Sequence, residues 1–117
     1  MPVKSFKTSS GRCPVSKYIE DQDPNVRKRL MDDIDQLKRN GLSLAANSDK
    51  MKKLTGYRNL YELKTRYGKL WHRILIGKIG EDLWLVEAFC KKGNVTPPQH
   101  IKNAINRIKI TENIKGG

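Results

Sequence analysis

Cysteine and histidine are both scarce in this 117-residue chain: Cys13 and Cys90 are the only thiols, and His72 and His100 the only imidazoles. With no repeated Cys or His spacing, neither a disulfide framework nor a zinc site is expected, and both thiols are expected to be reduced and buried. Long apolar runs are missing too. No segment approaches the roughly 18–20 residues needed to span a bilayer, and "MPVKSFKTSS" lacks the apolar centre of a signal peptide, so a cytoplasmic protein without membrane contact is expected. There is no Gly-rich phosphate loop, no HxxxE-type pair and no acidic pair suited to two-metal chemistry. Neither a metal nor a cofactor is therefore expected.

Negative charge is in short supply: 12 Asp and Glu stand against 24 Lys and Arg, a formal net charge of +12. From Lys50 to Lys92 there are eleven basic residues and four acids, Glu62, Glu81, Asp82 and Glu87. Such an excess on one small domain points to an anionic polymer as partner, nucleic acid above all. A solvated surface that only aids solubility is the plainer alternative. The length suits one domain, expected over residues 1–110, with a flexible tail over 111–117.

Val3 to about Thr8 reads as a short first strand cut by a Ser/Gly turn. "CPVSKYIEDQ" predicts a short helix with Pro14 in its first turn, ending near Asp21. Asp23 as N-cap, Pro24 in the first helical position and Gly41 as terminator frame a longer helix. Its buried stripe is Val26, Leu30, Ile34 and Leu37, while Arg27, Lys28, Asp32, Asp33 and Asp35 are expected to face water. Residues 41–56 read as a loop with at most one helical turn. Leu60–Arg66, Leu70–Ile76 and Leu83–Cys90 read as three antiparallel strands joined by hairpin turns. A last helix is expected to open at Thr96 in a capping box with Gln99, with Pro97 in its first position.

Alternation puts Glu62, Lys64 and Arg66 on one face of the first of these strands and Tyr61, Leu63 and Thr65 on the other. On the next strand Arg73 shares a face with Trp71 and Leu75, and His72 shares one with Ile74 and Ile76. An Arg inside an apolar strand needs a partner, so an Arg73–Glu87 or Arg73–Glu62 ion pair is one expectation. The other is functional: Arg73, Lys64, Lys91 and Lys92 converge on one face of the sheet to neutralise phosphate oxygens. Without a metal, RNA is the substrate that permits chemistry, because its 2′-hydroxyl can attack the adjacent phosphodiester. His72 and His100 are the obvious proton carriers near neutral pH, and His100 has the better position, one turn into the helix that follows the lysine pair.

"LYELKTRYGKLWHRILIG", followed by "LWLVEAFCKKGNVTPPQHIKNAI", resembles the RelE/ParE toxin superfamily, in particular its HigB-like, phage-derived branch. The resemblance rests on Tyr61-Glu62-Leu63-Lys64, on Arg73, and on Phe89-x-Lys91-Lys92-x-x-x-Thr96-Pro97, and it extends over roughly Val3 to Lys109. Lys64 stands where the family carries an arginine, keeping the charge without its bidentate geometry, and His72 stands where an aromatic residue is common. The resemblance implies a small α+β fold: an antiparallel sheet, two N-terminal helices on one face and a C-terminal helix, in the order β-α-α-β-β-β-α. It implies a toxin of a type II toxin–antitoxin system that cleaves messenger RNA in the ribosomal A site and is held by a helix-turn-helix antitoxin. Arg73, Lys91, Lys92 and His100 then become the expected catalytic group, and Lys52, Lys53, Lys64, Arg66 and His72 the expected contacts to substrate and ribosomal RNA. A ParE-like inhibitor of DNA gyrase, and a basic RNA-binding module without activity, are the competing readings.

Overall fold

The computed structural model describes residues 2–43, 49–91 and 96–116. The elements run β1 (Val3–Ser5), α1 (Pro14–Glu20), α2 (Pro24–Asn40), β2 (Met51–Lys53), β3 (Leu60–Tyr67), β4 (Leu70–Ile79), β5 (Asp82–Lys91) and α3 (Pro98–Gly116). They form one five-stranded sheet in the order β1-β5-β4-β3-β2. The expected architecture is corrected in two respects. β1 pairs with β5 in parallel, so the sheet is mixed, while the other neighbours are antiparallel. Residues read as loop supply β2, whose register places Met51 opposite Leu63 and Lys52 opposite Glu62.

The ends of α2 follow from local chemistry. Pro24 fits the first turn of α2, and the Asp23 carboxylate accepts from the amides of Asn25 at 2.9 Å and Val26 at 3.1 Å, two donors that otherwise lack intrahelical partners. Gly41 closes the helix at φ 57°, a conformation that side chains disfavour. α2 buries Val26, Leu30, Ile34 and Leu37 as its stripe predicts, but Asp33 does not face water. It is buried against the sheet, accepting from Thr65 Oγ1 at 2.6 Å and from Lys50 Nζ at 2.6 Å.

The sheet has helices on both faces. Val15, Ile19, Leu30, Ile34 and Leu37 of α1 and α2 pack on Leu63, Ile74, Ile76, Leu83 and Leu85. On the opposite face, Ala104 and Ile108 of α3 cover Leu60, Leu75, Val86 and Phe89. α3 begins at Pro98, later than expected, because Thr96 does not act through a capping box: its hydroxyl bonds a glutamate of the sheet, and the carbonyl of Pro97 accepts from His100 and Ile101. Helix also continues through 111–116, where a tail was expected, with Thr111 buried. Among the described residues no helix is long and apolar enough to cross a membrane.

α3 lies along the sheet in a definite register. His100 stacks on Phe89, Asn103 and Arg107 reach Glu87, and Ile108 sits over Gly77. A bulge helps. Leu75 pairs with Glu87 but Ile76 pairs with Leu85, which leaves Val86 as the extra residue on β5. Arg107 Nη1 donates to the Val86 carbonyl and to Glu87, each at 2.8 Å, tying the helix to the bulge. The part of this face beyond Phe89, towards the β3–β4 turn, therefore lies past the start of α3.

Candidate nucleic-acid interface

Two cross-strand rows run across this face, one under the start of α3 and one just past it. In one, Lys64 pairs with Arg73 and Arg73 with Phe89; in the next, Arg66 pairs with Trp71 and Trp71 with Lys91. Lys52 joins them from β2, opposite Glu62. Lys52 and Arg66 are exposed, while Lys64, Trp71 and Lys91 are half-buried. Sequence alternation thus delivers Lys64, Arg66, Arg73 and Lys91 to one surface as expected. The sheet also collects Lys52 there because β2 exists and pairs in this register.

Arg73 does not stand in this surface as an exposed cation. It is 1 % exposed and its Nη1 donates to Glu62 Oε1 at 2.6 Å, with Glu62 itself at 0 %. Of the two ion pairs open from sequence, Arg73–Glu62 is the one formed. The second oxygen, Glu62 Oε2, accepts from Thr96 Oγ1 at 2.5 Å. One carboxylate therefore holds both the strand arginine and the residue that leads into α3. Like charges directly opposite one another in a sheet repel, and Glu62 offsets the confrontation of Lys64 with Arg73. The Thr96–Glu62 bond was not foreseeable from spacing, since the hydroxyl also fits a helix cap.

Lys91 lies close enough to feel this network. Loss of solvation, then the Arg73 guanidinium, push its ammonium below the usual lysine range; Glu62 opposes the change and Lys52 adds to it. Such a lysine gives up its proton more readily than an ordinary surface lysine. Lys92, the other half of the expected pair, lies outside the described residues.

His100 sits at the rim. Its ring lies parallel to that of Phe89, with centroids 4.0 Å apart, and Nδ1 is 3.2 Å from Glu87 Oε2. Burial alone raises the Glu87 pKa, but hydrogen bonds from Asn103 and His100 and the charge of Arg107 outweigh it, so the carboxyl sits below its usual range. Glu87 is thus an ionised anchor for His100.

Two expected site residues are placed elsewhere. His72 points to the opposite face, is 2 % exposed, and its Nδ1 lies 2.7 Å from the Tyr18 hydroxyl. Burial lowers its pKa, with Asp23 opposing; it is a neutral packing residue under α1, out of reach of a ligand on the basic face. Lys53 pairs with Tyr61, so the pleat turns it away from Lys52 and the patch. The thiols also depart from expectation: Cys13 is half-buried and Cys90 exposed.

The patch is a run of cations around one indole, with Lys64 Nζ 5.7 Å and Arg66 Cζ 5.4 Å from the Trp71 ring centroid. That form suits the backbone of a polymer better than a small molecule. Trp71 was placed by alternation on the face of Arg73, but nothing in the pattern distinguished it from a core tryptophan.

A search of curated proteins gives no match. The family model for the phage-derived protein Gp49-like (DUF891) family matches residues 17–109, a span that includes the second half of α1, all of α2, every strand except β1, and about the first three turns of α3 with His100. Covering most of the chain and the whole of the basic face, that match makes this protein a member of the Gp49-like family, a RelE/ParE-like toxin family in general.

Proposed function

We propose that the protein is the toxin of a type II toxin–antitoxin system of the HigB-like kind, and that it arrests growth by cleaving messenger RNA on the ribosome. The observation that carries this reading is the assembly of Lys52, Lys64, Arg66 and Lys91 on the part of the sheet that α3 leaves open, around the buried Arg73–Glu62 pair. Cations so placed neutralise successive phosphates. The HigB-like motifs and the net charge of +12 support the same reading.

The chemistry proposed is transfer within the RNA. A base takes the proton of a 2′-hydroxyl, the 2′-oxygen bonds to the adjacent phosphorus, and the bond to the 5′-oxygen breaks as that oxygen gains a proton. The products are a 2′,3′-cyclic phosphate and a 5′-hydroxyl. Lys91, and Lys92 beside it in sequence, stabilise the charge that develops on phosphorus. Arg73 acts from beneath, setting the potential of the face while Glu62 fixes its position. His100, oriented by Glu87 through Nδ1, presents its other ring nitrogen for proton transfer.

The partners proposed are the ribosome with message in its A site and a helix-turn-helix antitoxin. The test is induction of the gene with and without its neighbouring reading frame, following message integrity and chromosome breaks. Rapid loss of message, relieved by the neighbour, is the expected result. Intact message with DNA breaks would point to gyrase, and neither effect to an RNA-binding module without activity.

A further inference from the structure

Trp71 stands in the middle of the outer basic row. Its direct cross-strand neighbours are Arg66 on one side and Lys91 on the other, and Lys64 and Arg66 also lie within cation–π range of the ring. The indole is half-buried on a face where α3 has not yet begun. Cation–π contacts at exposed positions are weak, about 0.5–1 kcal/mol each, whereas several cations crowded around one ring repel one another. A ligand that supplies both a flat π face and flanking negative charge resolves both features. An unpaired nucleotide does so, since its base stacks on the indole while its phosphates meet the cations.

We propose that Trp71 is a stacking platform for one base of single-stranded RNA, with Arg66 and Lys91 holding the phosphates on either side of it. This rests on the RNA-directed reading above and deepens it, because it names the form of the substrate. A duplex keeps its base faces stacked inside the helix and has nothing to lay on Trp71. An extended single strand exposes each base in turn. The platform tolerates any base, since every base has a π face, so it sets strand form and register rather than sequence.

The test needs no cleavage. Trp71 and Trp84 are the only tryptophans, so Trp84→Phe leaves Trp71 as the sole indole emitter. An octamer of 2′-O-methyl adenosine, which has no free 2′-hydroxyl to attack, is titrated against this protein and compared with an abasic octamer of equal charge and with a duplex of the same length. The expected result is strong quenching by the adenosine octamer and an affinity about tenfold above that of the abasic strand, consistent with the stacking of one base. Trp71→Ala should remove that advantage and Trp71→Tyr should keep most of it. Equal binding of adenosine and abasic strands overturns the proposal without any substitution at Trp71, and so does a duplex that binds and quenches as well as the single strand. Because message decay in cells is a separate measurement, quenching with stable message would sink the message-cleaving reading alone, and decay without quenching would sink the platform alone.

Discussion

Arg73 and Glu62 are joined across 2.6 Å with 2 % and 0 % of their side-chain surfaces exposed, so the charge at the centre of the basic face is already answered from below. Removing one partner strands the other in a medium that solvates it poorly, at a cost of about 3–5 kcal/mol. Arg73→Ala and Glu62→Ala should each lower the urea midpoint steeply. The double variant Glu62→Leu/Arg73→Met, which leaves no orphaned charge, should be clearly more stable than either. Melts of the singles close to the parent would show that the pair is not buried in solution.

A second prediction concerns His72. Its pKa in the folded protein is below the ordinary value because burial disfavours the cation. The unfolded chain then binds the proton more readily, so the stability associated with the neutral ring is present above about pH 6.5 and is lost as pH falls from there through the folded pKa. The melting temperature should drop on acidification across that window, and His72→Gln should flatten the drop. An identical pH profile for the variant would mean that the loss arises elsewhere. Glu87 acts in a lower window, because its own depressed pKa is reached only after ordinary carboxylates begin to titrate.

Packing of α3 gives a third. A Cβ added at Gly77 would lie 2.5 Å from Ile108 Cγ1 and 2.6 Å from its Cδ1, and Cγ1 is too near the helix backbone to swing away. Gly77→Ala should therefore destabilise the protein by about 1–3 kcal/mol. Ile108→Ala removes both clashing atoms but leaves a void on its own. The two substitutions together should cost less than the sum of the singles, which a double-mutant cycle in urea measures directly. Strict additivity would contradict the placement of Ile108 over Gly77.

What could be read from the sequence was what depends on neighbours along the chain. The stripe Val26, Leu30, Ile34, Leu37, the Asp23 cap and the alternation of Glu62, Lys64 and Arg66 are local, and all are present in the structure. What could not be read depends on distant partners. β2 has only three residues, two of them lysines, and exists because β3 offers it an edge. Asp33 has the spacing of a solvent-facing residue, but Thr65 and Lys50 draw it inward. Thr96 was readable as a cap because the sequence does not show that Glu62 would be within reach. The same limit applied to the face: alternation located Arg73 on it, but only the assembled network puts the guanidinium beneath the surface and leaves Lys52, Lys64, Arg66 and Lys91 above.

Lys52 and Lys53 provide the sharpest test of that face, since they are adjacent in sequence and identical in chemistry. Lys52 pairs with Glu62 on the patch side, and Lys53 pairs with Tyr61 on the other. Both are exposed, so neither substitution should disturb the core. If the patch binds RNA through phosphates, log affinity for a single strand should fall linearly with log salt, by about 0.7 for each phosphate contacted. Lys52→Ala should weaken binding and reduce the slope by about that amount, as Lys64→Ala and Arg66→Ala should also do. Lys53→Ala should change neither. The measurement is anisotropy of a labelled oligoribonucleotide from about 50 to 200 mM salt, a range over which several phosphate contacts change affinity by orders of magnitude. Equal losses for Lys52 and Lys53 would mean that the RNA responds to net charge alone; a loss confined to Lys53 would place the binding face on the other side of the sheet.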